Sequence, residues 1–78
     1  MAKTLRTAAH RALIAILVAS RREAGFTQRQ LAERLKRPQS YVAKIEAGER
    51  RVDVVELVAI AKALKLDPRQ LLERFLTW

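Results

Sequence analysis

The chain has 78 residues, half of them apolar, and a formal net charge of +8 with a pI near 11.2. A chain of this length builds one small domain. Because it contains no cysteine and one histidine, it lacks the residues for a disulfide framework or for a thiolate or imidazole metal cluster. We therefore expect residues 1–78 to form a single domain that is stabilised by packing and binds no cofactor.

A short apolar run near the N-terminus raises the question of export. Lys3, Arg6 and Arg11 precede the apolar residues 12–19, which is the order of a secretory signal. No stretch reaches the roughly 20 apolar residues needed to span a bilayer. Cleavage after this run would remove a helix whose apolar side the rest of the fold needs, so we expect a cytoplasmic protein without a membrane segment.

The excess of basic residues favours a nucleic-acid partner, because lysine and arginine displace counterions from phosphates. A basic solvated surface is the alternative, and the placement of the charges favours the nucleic acid. The basic residues concentrate in one stretch, as Arg29, Arg34, Lys36, Arg37, Lys44, Arg50 and Arg51.

The first predicted helix covers about residues 4–24, a stretch rich in alanine and leucine. Leu13, Leu17 and Ala24 stand at spacings of four and seven, so we expect them to point into the core. Ile14 and Val18 either widen this face or contact the C-terminal helix or a second subunit.

Two short helices separated by a tight break follow in residues 27–47. Thr27 and Gln30 have the spacing of a capping box. Pro38 cannot continue a helix but suits the first position of one, so the second helix is predicted over residues 38–46. A connection of about three residues is typical of a helix-turn-helix.

Two more helices are predicted in the C-terminal third. Asp53 and Glu56 form a second capping-box pattern, and an apolar stripe with helical spacing follows. Asp67 and Pro68 suit the cap and first residue of a helix over 68–76. The stripe consists of Val54, Leu57, Val58, Ala61 and Leu64. The sequence thus predicts an all-α bundle of five helices.

The last predicted helix carries more apolar residues than the closing of a small core requires. Such a surplus leaves an apolar patch in water, and these patches mark interfaces. We expect a homodimer formed through this helix, and the alternative is that the helix folds back as the lid of a monomer. The expected interface residues are Leu72, Phe75, Leu76 and Trp78.

The stretch LAERLKRPQSYVAKIEAGERR resembles the DNA-binding domain of the phage repressor and Cro group, also called the xenobiotic-response-element (XRE) family. The resemblance covers roughly residues 13–72. It implies a lambda-repressor-like five-helix domain and a homodimeric transcriptional regulator that binds a pseudo-palindromic operator. Small members include phage repressors, antitoxins and controllers of restriction-modification operons, and the sequence does not choose among these roles. The matching residues are Arg21, Thr27, Gln28, Leu31, Ala32, Leu35, Val42, Ile45, Glu46, Gly48, Ala63 and Leu64.

The resemblance assigns base reading to the second helix of the motif. The positions matching Gln39 and Ser40 are the main base readers, and those matching Ala43 and Lys44 follow. Gln39 can pair with adenine in the major groove, and Lys44 can reach guanine or a phosphate. Ala43 can touch only a thymine methyl group.

The resemblance also implies a largely buried ion pair between Arg21 and Glu46. Such a pair would hold the reading helix against the first helix, and the loss of one partner would cost about 3–5 kcal/mol. The alternative is that Glu46 faces water.

Phosphate contacts are expected at the start of the first helix of the motif and at the flanking basic residues. In the family, the glutamine matching Gln28 contacts a phosphate, and helix N-termini favour phosphate in any case. Tyr41 has a phenol suited to a phosphate oxygen, although it also serves as a plain packing residue. The predicted phosphate contacts are Thr27, Gln28, Arg29, Arg37, Tyr41, Arg50 and Arg51.

Two positions depart from the family pattern. Lys36 occupies a turn site usually held by glycine, where a positive φ would strain lysine by roughly 1 kcal/mol. Pro38 replaces the usual serine or threonine cap, which affects the register of the reading helix.

A second class of function is a protein-interaction module, such as an antitoxin or antirepressor whose last helix captures another protein. Function that is insensitive to Gln39, Ser40 and Lys44 but sensitive to the apolar residues of the last helix would indicate this class. An enzyme is not expected, because the sequence has no nucleophile–base constellation and no glycine-rich phosphate loop.

Overall fold

A computed structural model describes residues 7–78 of the chain. Within this range the backbone forms five α-helices and no strand, which confirms the predicted all-α fold. The helices are α1 (Ala8–Glu23), α2 (Gln28–Leu35), α3 (Gln39–Glu46), α4 (Val54–Ala63) and α5 (Pro68–Leu76). Helix α1 packs on α3 and α5, α2 packs on α3 and α4, and α4 packs on α5.

Helix α1 begins later than the sequence predicted. Thr7 has an extended backbone, and its hydroxyl oxygen accepts a hydrogen bond from the His10 amide at 3.1 Å. Thr7 is therefore the N-cap of α1, so the predicted helix is wrong at this residue; the predicted start at residue 4 lies outside the described part of the chain.

The inward face of α1 is rotated from the predicted one. Ile14, Leu17 and Arg21 are buried, whereas Leu13 is only half-buried and Ala24 is exposed. The prediction followed apolar residues alone. Arg21 must also face inward because its partner Glu46 lies on α3, so the helix turns the Ile14 side toward the core.

The break between α2 and α3 depends on two unusual residues. Lys36 ends α2 in the left-handed conformation, at φ 58°, and the Arg37 amide then donates to the Ala32 carbonyl at 3.0 Å. Pro38 follows with an extended backbone as the N-cap of α3 and offers no side-chain cap. Helix α3 thus begins at Gln39, one residue after the predicted start.

Helix α4 starts with the predicted Asp53–Glu56 capping box. The predicted inward stripe is wrong at Val54, which is 75% exposed, and it omitted Ile60, which is buried. Val54 lies two turns before the buried Ala61 on the same helix face. Its exposure shows that no described helix covers Val54 itself.

One apolar core joins all five helices. Leu71 of α5 closes it, and Ala32 of α2 is buried in it. The buried apolar residues are Ile14, Leu17, Leu31, Ala32, Val42, Ile45, Ile60, Ala61, Leu64 and Leu71. In residues 7–78 no helix has both the length and the apolar character to cross a membrane.

Candidate nucleic-acid interface

Helix α3 divides into a buried and an exposed side. Val42 and Ile45 are buried against the core, while Gln39, Ser40 and Lys44 are exposed. Ala43, the fourth predicted base reader, is half-buried. The exposed polar side chains begin at the N-terminal end of the helix, the end that enters the major groove first in helix-turn-helix proteins.

Arg21 and Glu46 form the ion pair that the family resemblance implied. The Arg21 Nε lies 2.6 Å from one Glu46 carboxylate oxygen, and Nη2 donates to the other at 3.0 Å. The remaining Nη1 donates to the Phe26 carbonyl at 2.8 Å. Only about a tenth of either side chain is exposed, 10% and 9%. The pair therefore joins α1, the α1–α2 connection and the C-terminal end of α3.

The predicted phosphate contacts at the start of α2 are partly occupied within the protein. The Thr27 hydroxyl oxygen accepts from the Gln30 amide at 3.1 Å, and the Gln28 amide nitrogen donates to Glu46 at 2.9 Å. Gln28 thus connects α2 to the buried ion pair. The backbone amides of Gln28 and Arg29 lie in the first turn, where helix amides have no intrahelical partner and can donate to phosphate.

Tyr41 lies at the centre of a second polar cluster, on the half-exposed side of α3. Its hydroxyl donates to a carboxylate oxygen of Glu56 at 2.9 Å, and Arg50 Nη2 contacts the same oxygen at 2.9 Å. The guanidinium carbons of Arg37 and Arg50 lie 4.8 and 4.9 Å from the centre of the tyrosine ring. The sequence predicted phosphate contacts for these three residues, but the Tyr41 hydroxyl is already bound within the protein.

Glu56 is the residue of this cluster that the sequence analysis missed. The sequence predicted the capping box between Glu56 and Asp53, because the two residues are only three positions apart. The contacts of Glu56 with Tyr41 and Arg50 join α3, the following loop and α4, and no signal in the sequence identifies them.

The cluster shifts the acid–base properties of its members. Burial and the neighbouring Glu56 carboxylate raise the pKa of the Tyr41 phenol, so the phenol remains a neutral donor. Burial alone would raise the pKa of Glu56, but hydrogen bonds from the Asp53 amide, Arg50 and Tyr41 outweigh burial and lower it. Glu56 is therefore a stable anion that pairs with Arg50.

The exposed arginines predicted to contact phosphate differ from Arg34, which is bound within the protein. Arg29, Arg37 and Arg51 are exposed, and in residues 7–78 they form no salt bridge. Arg34, by contrast, lies over the Phe26 ring at 5.3 Å, and its Nε donates to the Ala63 carbonyl at 2.6 Å. Arg34 therefore stabilises the C-terminal end of α4.

The residues predicted to form a dimer interface lie together on α5 and its C-terminal end. Leu72, Leu76 and Trp78 are exposed to 44%, 72% and 63%, respectively. Phe75 is half-buried and stacks on Trp78, with ring centres 6.1 Å apart. We call these four residues the α5 patch. The described residues contain no group of three or more His, Cys, Asp or Glu side chains that could hold a metal ion.

Comparisons with known proteins agree with this geometry. The family model described as helix-turn-helix matches residues 17–71. An XRE-family like protein from Pseudomonas syringae pv. tomato is 42% identical, with a TM-score of 0.86 over 97% of this chain and 93% of that chain. The restriction-modification controller protein C.AhdI from Aeromonas hydrophila is 32% identical, with a TM-score of 0.75 over 83% and 98% of the two chains. The clp gene regulator ClgR from Corynebacterium glutamicum is 26% identical, with a TM-score of 0.80 over 92% and 94%.

No curated protein matches the chain by sequence. The family match covers more than half of the chain, and its limits enclose α2, the turn and α3. The chain therefore belongs to the XRE-type helix-turn-helix family of DNA-binding proteins.

Proposed function

We propose that this protein is a sequence-specific transcriptional regulator that binds double-stranded DNA by placing α3 in the major groove. The observation that carries the proposal is the division of α3 into two sides. Its inner residues Val42 and Ile45 are buried, and a buried ion pair holds its C-terminal end. A helix that is fixed in this way presents its polar side chains at defined positions, as the reading of base edges requires.

Base reading belongs to the exposed side of α3. Gln39 can form a two-point hydrogen bond with adenine, and Ser40 can donate to or accept from several bases. Lys44 suits guanine or a phosphate, and the half-buried Ala43 suits only a thymine methyl group.

Phosphate binding belongs to the residues on both sides of α3. The amides of Gln28 and Arg29 lie in the first turn of α2 and can donate to one phosphate. Arg37, Arg50 and Arg51 supply positive charge from the connections before and after α3. These contacts fix the register of the protein on DNA and carry no base information.

The known activities of two relatives support a regulatory role. C.AhdI is a restriction-modification controller protein, and ClgR is a regulator of the clp gene. Both cover most of this chain with the same fold, so a regulator of gene expression is the function that best suits it.

The α5 patch supports a homodimer. Leu76 and Trp78 are large apolar side chains that are mostly exposed, and a second copy of the patch would cover them. A two-fold dimer would place two α3 helices about 34 Å apart, in successive major grooves on one face of a pseudo-palindromic site. Analytical ultracentrifugation at micromolar concentration should then show a species of twice 8.9 kDa; a monomer alone would contradict the dimer.

The same patch favours a second candidate, a module that binds another protein through α5. The two candidates differ in which substitutions abolish function. The module requires Leu76 and Trp78 but tolerates Gln39→Ala, whereas the DNA-binding regulator requires Gln39 for its specificity.

Selection of bound sequences from a random duplex library tests the proposal directly. We expect enrichment of a pseudo-palindromic sequence that the purified protein prefers over random duplex. Gln39→Ala should weaken binding to that sequence by about 1–3 kcal/mol and relax the preference at one base pair of each half-site. Equal binding of all duplexes by the wild type would refute sequence-specific recognition. Absence of duplex binding even at low ionic strength would refute the proposed function as a whole.

A further inference from the structure

The side chain of Tyr41 is directed toward α4, although the residue lies on the helix proposed to read DNA. Tyr41 sits on α3 between the base readers Ser40 and Ala43, yet its side chain is half-buried. The hydroxyl does not end in solvent, because it donates to Glu56 on α4 at 2.9 Å.

The tyrosine ring is held at both ends. Its backbone belongs to α3, and its hydroxyl is bound by Glu56, whose other carboxylate oxygen accepts from the Asp53 amide at 3.0 Å. The Glu56 side chain is only 16% exposed. The ring is therefore a fixed plane between α3 and the start of α4.

Two arginines from different connections lie against this plane. Arg37 precedes α3 and Arg50 follows it, and their guanidinium carbons are 4.8 and 4.9 Å from the same ring centre. At this distance a guanidinium group is attracted to an aromatic ring. A long arginine side chain that is already held loses less freedom when it binds a phosphate.

We propose that Tyr41 is a positioning residue, whose ring holds Arg37 and Arg50 ready to bind DNA phosphates on either side of α3. The hydroxyl faces Glu56 and does not contact DNA, in contrast to the direct phosphate contact that the sequence analysis predicted. This inference rests on the proposed function, since it needs a DNA backbone as the ligand of the two arginines.

Two substitutions at one position separate the ring from the hydroxyl. Tyr41→Phe keeps the ring, and its affinity should stay within about threefold of wild type with an unchanged salt slope. Tyr41→Leu removes the ring and should weaken binding about tenfold to preferred and random duplexes alike. Because each phosphate contact adds about 0.9 to the slope of log affinity against log salt, Tyr41→Leu should lower the slope by about 1 to 2.

Phe26→Leu is the matched control. Phe26 also lies under an arginine, Arg34, at 5.3 Å, but Arg34 is bound to the Ala63 carbonyl. The control should lower thermal stability and leave the salt slope of the folded protein unchanged. If it lowers the slope as Tyr41→Leu does, the effect is a general loss of structure, and the inference fails.

Fluorescence anisotropy with labelled duplexes at several salt concentrations measures these effects, and circular dichroism shows that each variant is folded. If Tyr41→Leu does not fold, Tyr41→Met, which is similar in length but has no flat face, takes its place. In a chain that carries both Arg37→Gln and Arg50→Gln, the loss of the ring should not change the slope further.

Two results overturn the inference while the proposed function stands. An unchanged slope in Tyr41→Leu would show that the ring positions nothing. An equal loss in Tyr41→Phe and Tyr41→Leu would show that the hydroxyl, and not the ring, carries the effect. Failure of the wild type to bind any duplex would instead refute the proposed function.

Discussion

Two arginine–glutamate pairs lie beside α3, and they use the same chemistry in different surroundings. Arg21 of the first pair donates from Nε and both Nη groups to fixed acceptors, and its side chain is 10% exposed. Arg50 of the second pair is 37% exposed and contacts Glu56 through Nη2. The Arg50 Nη1 is buried without a hydrogen-bond partner in the described residues.

Because the two pairs differ in burial, we assign them different roles: the buried pair orients α3, and the half-exposed pair is open to a ligand. In the buried pair each of the three guanidinium nitrogens donates within the protein, and the loss of either member would leave an unpaired charge in the core. A half-exposed pair contributes little to stability, and the exposed part of the Arg50 side chain can still meet a ligand. The Arg21–Glu46 pair therefore sets the position of α3, and the Arg50–Glu56 pair lies where a phosphate can reach it.

The largest expected effect is that of Arg21→Met. It leaves Glu46 buried and unpaired, so the free energy of unfolding should fall by about 3–5 kcal/mol. Urea denaturation followed by circular dichroism measures the change. Arg22→Met is the matched control, because Arg22 is the next residue of α1 and is exposed. A loss below about 1 kcal/mol, as surface pairs give, would show that the two pairs do not differ in kind.

The second prediction concerns the half-exposed pair. Arg50→Ala should change the free energy of unfolding by less than about 1 kcal/mol. It should nevertheless weaken binding to every duplex alike and lower the salt slope by about 1, because one phosphate contact is lost. Anisotropy titrations on preferred and random duplexes measure both quantities. A loss confined to the preferred sequence would make Arg50 a base reader.

Interactions between residues close in sequence could be predicted, since their geometry follows from spacing. The Thr27–Gln30 and Asp53–Glu56 capping boxes both occur as predicted, and α5 occupies the predicted residues. The Arg21–Glu46 contact spans 25 residues. It was predicted only because the family resemblance supplied the partner.

Contacts between distant residues without a family pattern could not be predicted. Glu56 already had a local explanation as a cap, so nothing indicated its contact with Tyr41, 15 residues away. Leu13 and Ile14 are both apolar neighbours on α1, so the apolar pattern alone does not indicate that Ile14 is the more buried of the two. The left-handed Lys65, at φ 61°, has no glycine to mark it.

The third prediction changes stability without touching either ion pair. Lys36 is left-handed at φ 58°, a conformation that costs a non-glycine residue about 1–2 kcal/mol. Lys36→Gly removes this cost but adds about 0.5–1 kcal/mol of chain entropy to the unfolded state. We expect a net gain of about 0.5–1 kcal/mol in the free energy of unfolding, measured in urea.

Lys65→Gly is the control for this change, because Lys65 has the same conformation between α4 and α5. It should give a similar gain in stability and leave DNA affinity as it was. If affinity rises with stability in both glycine variants, α3 is not held rigidly by its ion pair in the wild type. The proposed division between the pair that orients and the pair that binds would then fail.

The smallest expected effect is a pH dependence that belongs to the half-exposed pair. Despite burial, hydrogen bonds from the Asp53 amide, Arg50 and Tyr41 lower the pKa of Glu56 in the folded protein below its ordinary value. As the pH falls, Glu56 is therefore protonated at a higher pH in the unfolded chain than in the folded protein. The stabilisation from the Glu56 carboxylate is complete above the ordinary glutamate pKa and is lost as the pH falls through the lower pKa of the folded state.

Urea denaturation of wild type and Glu56→Gln between about pH 3 and pH 7 tests this dependence. The difference in stability between the two proteins should be largest at neutral pH and shrink as the pH falls. Hydrogen bonds from Arg69 also lower the pKa of Asp67, so Asp67 contributes a pH dependence of its own. The comparison is therefore repeated in an Asp67→Asn background, where the Glu56 difference should remain. A difference that is constant with pH would mean that the Glu56 charge does not stabilise the fold, and the pair would then act only on DNA binding.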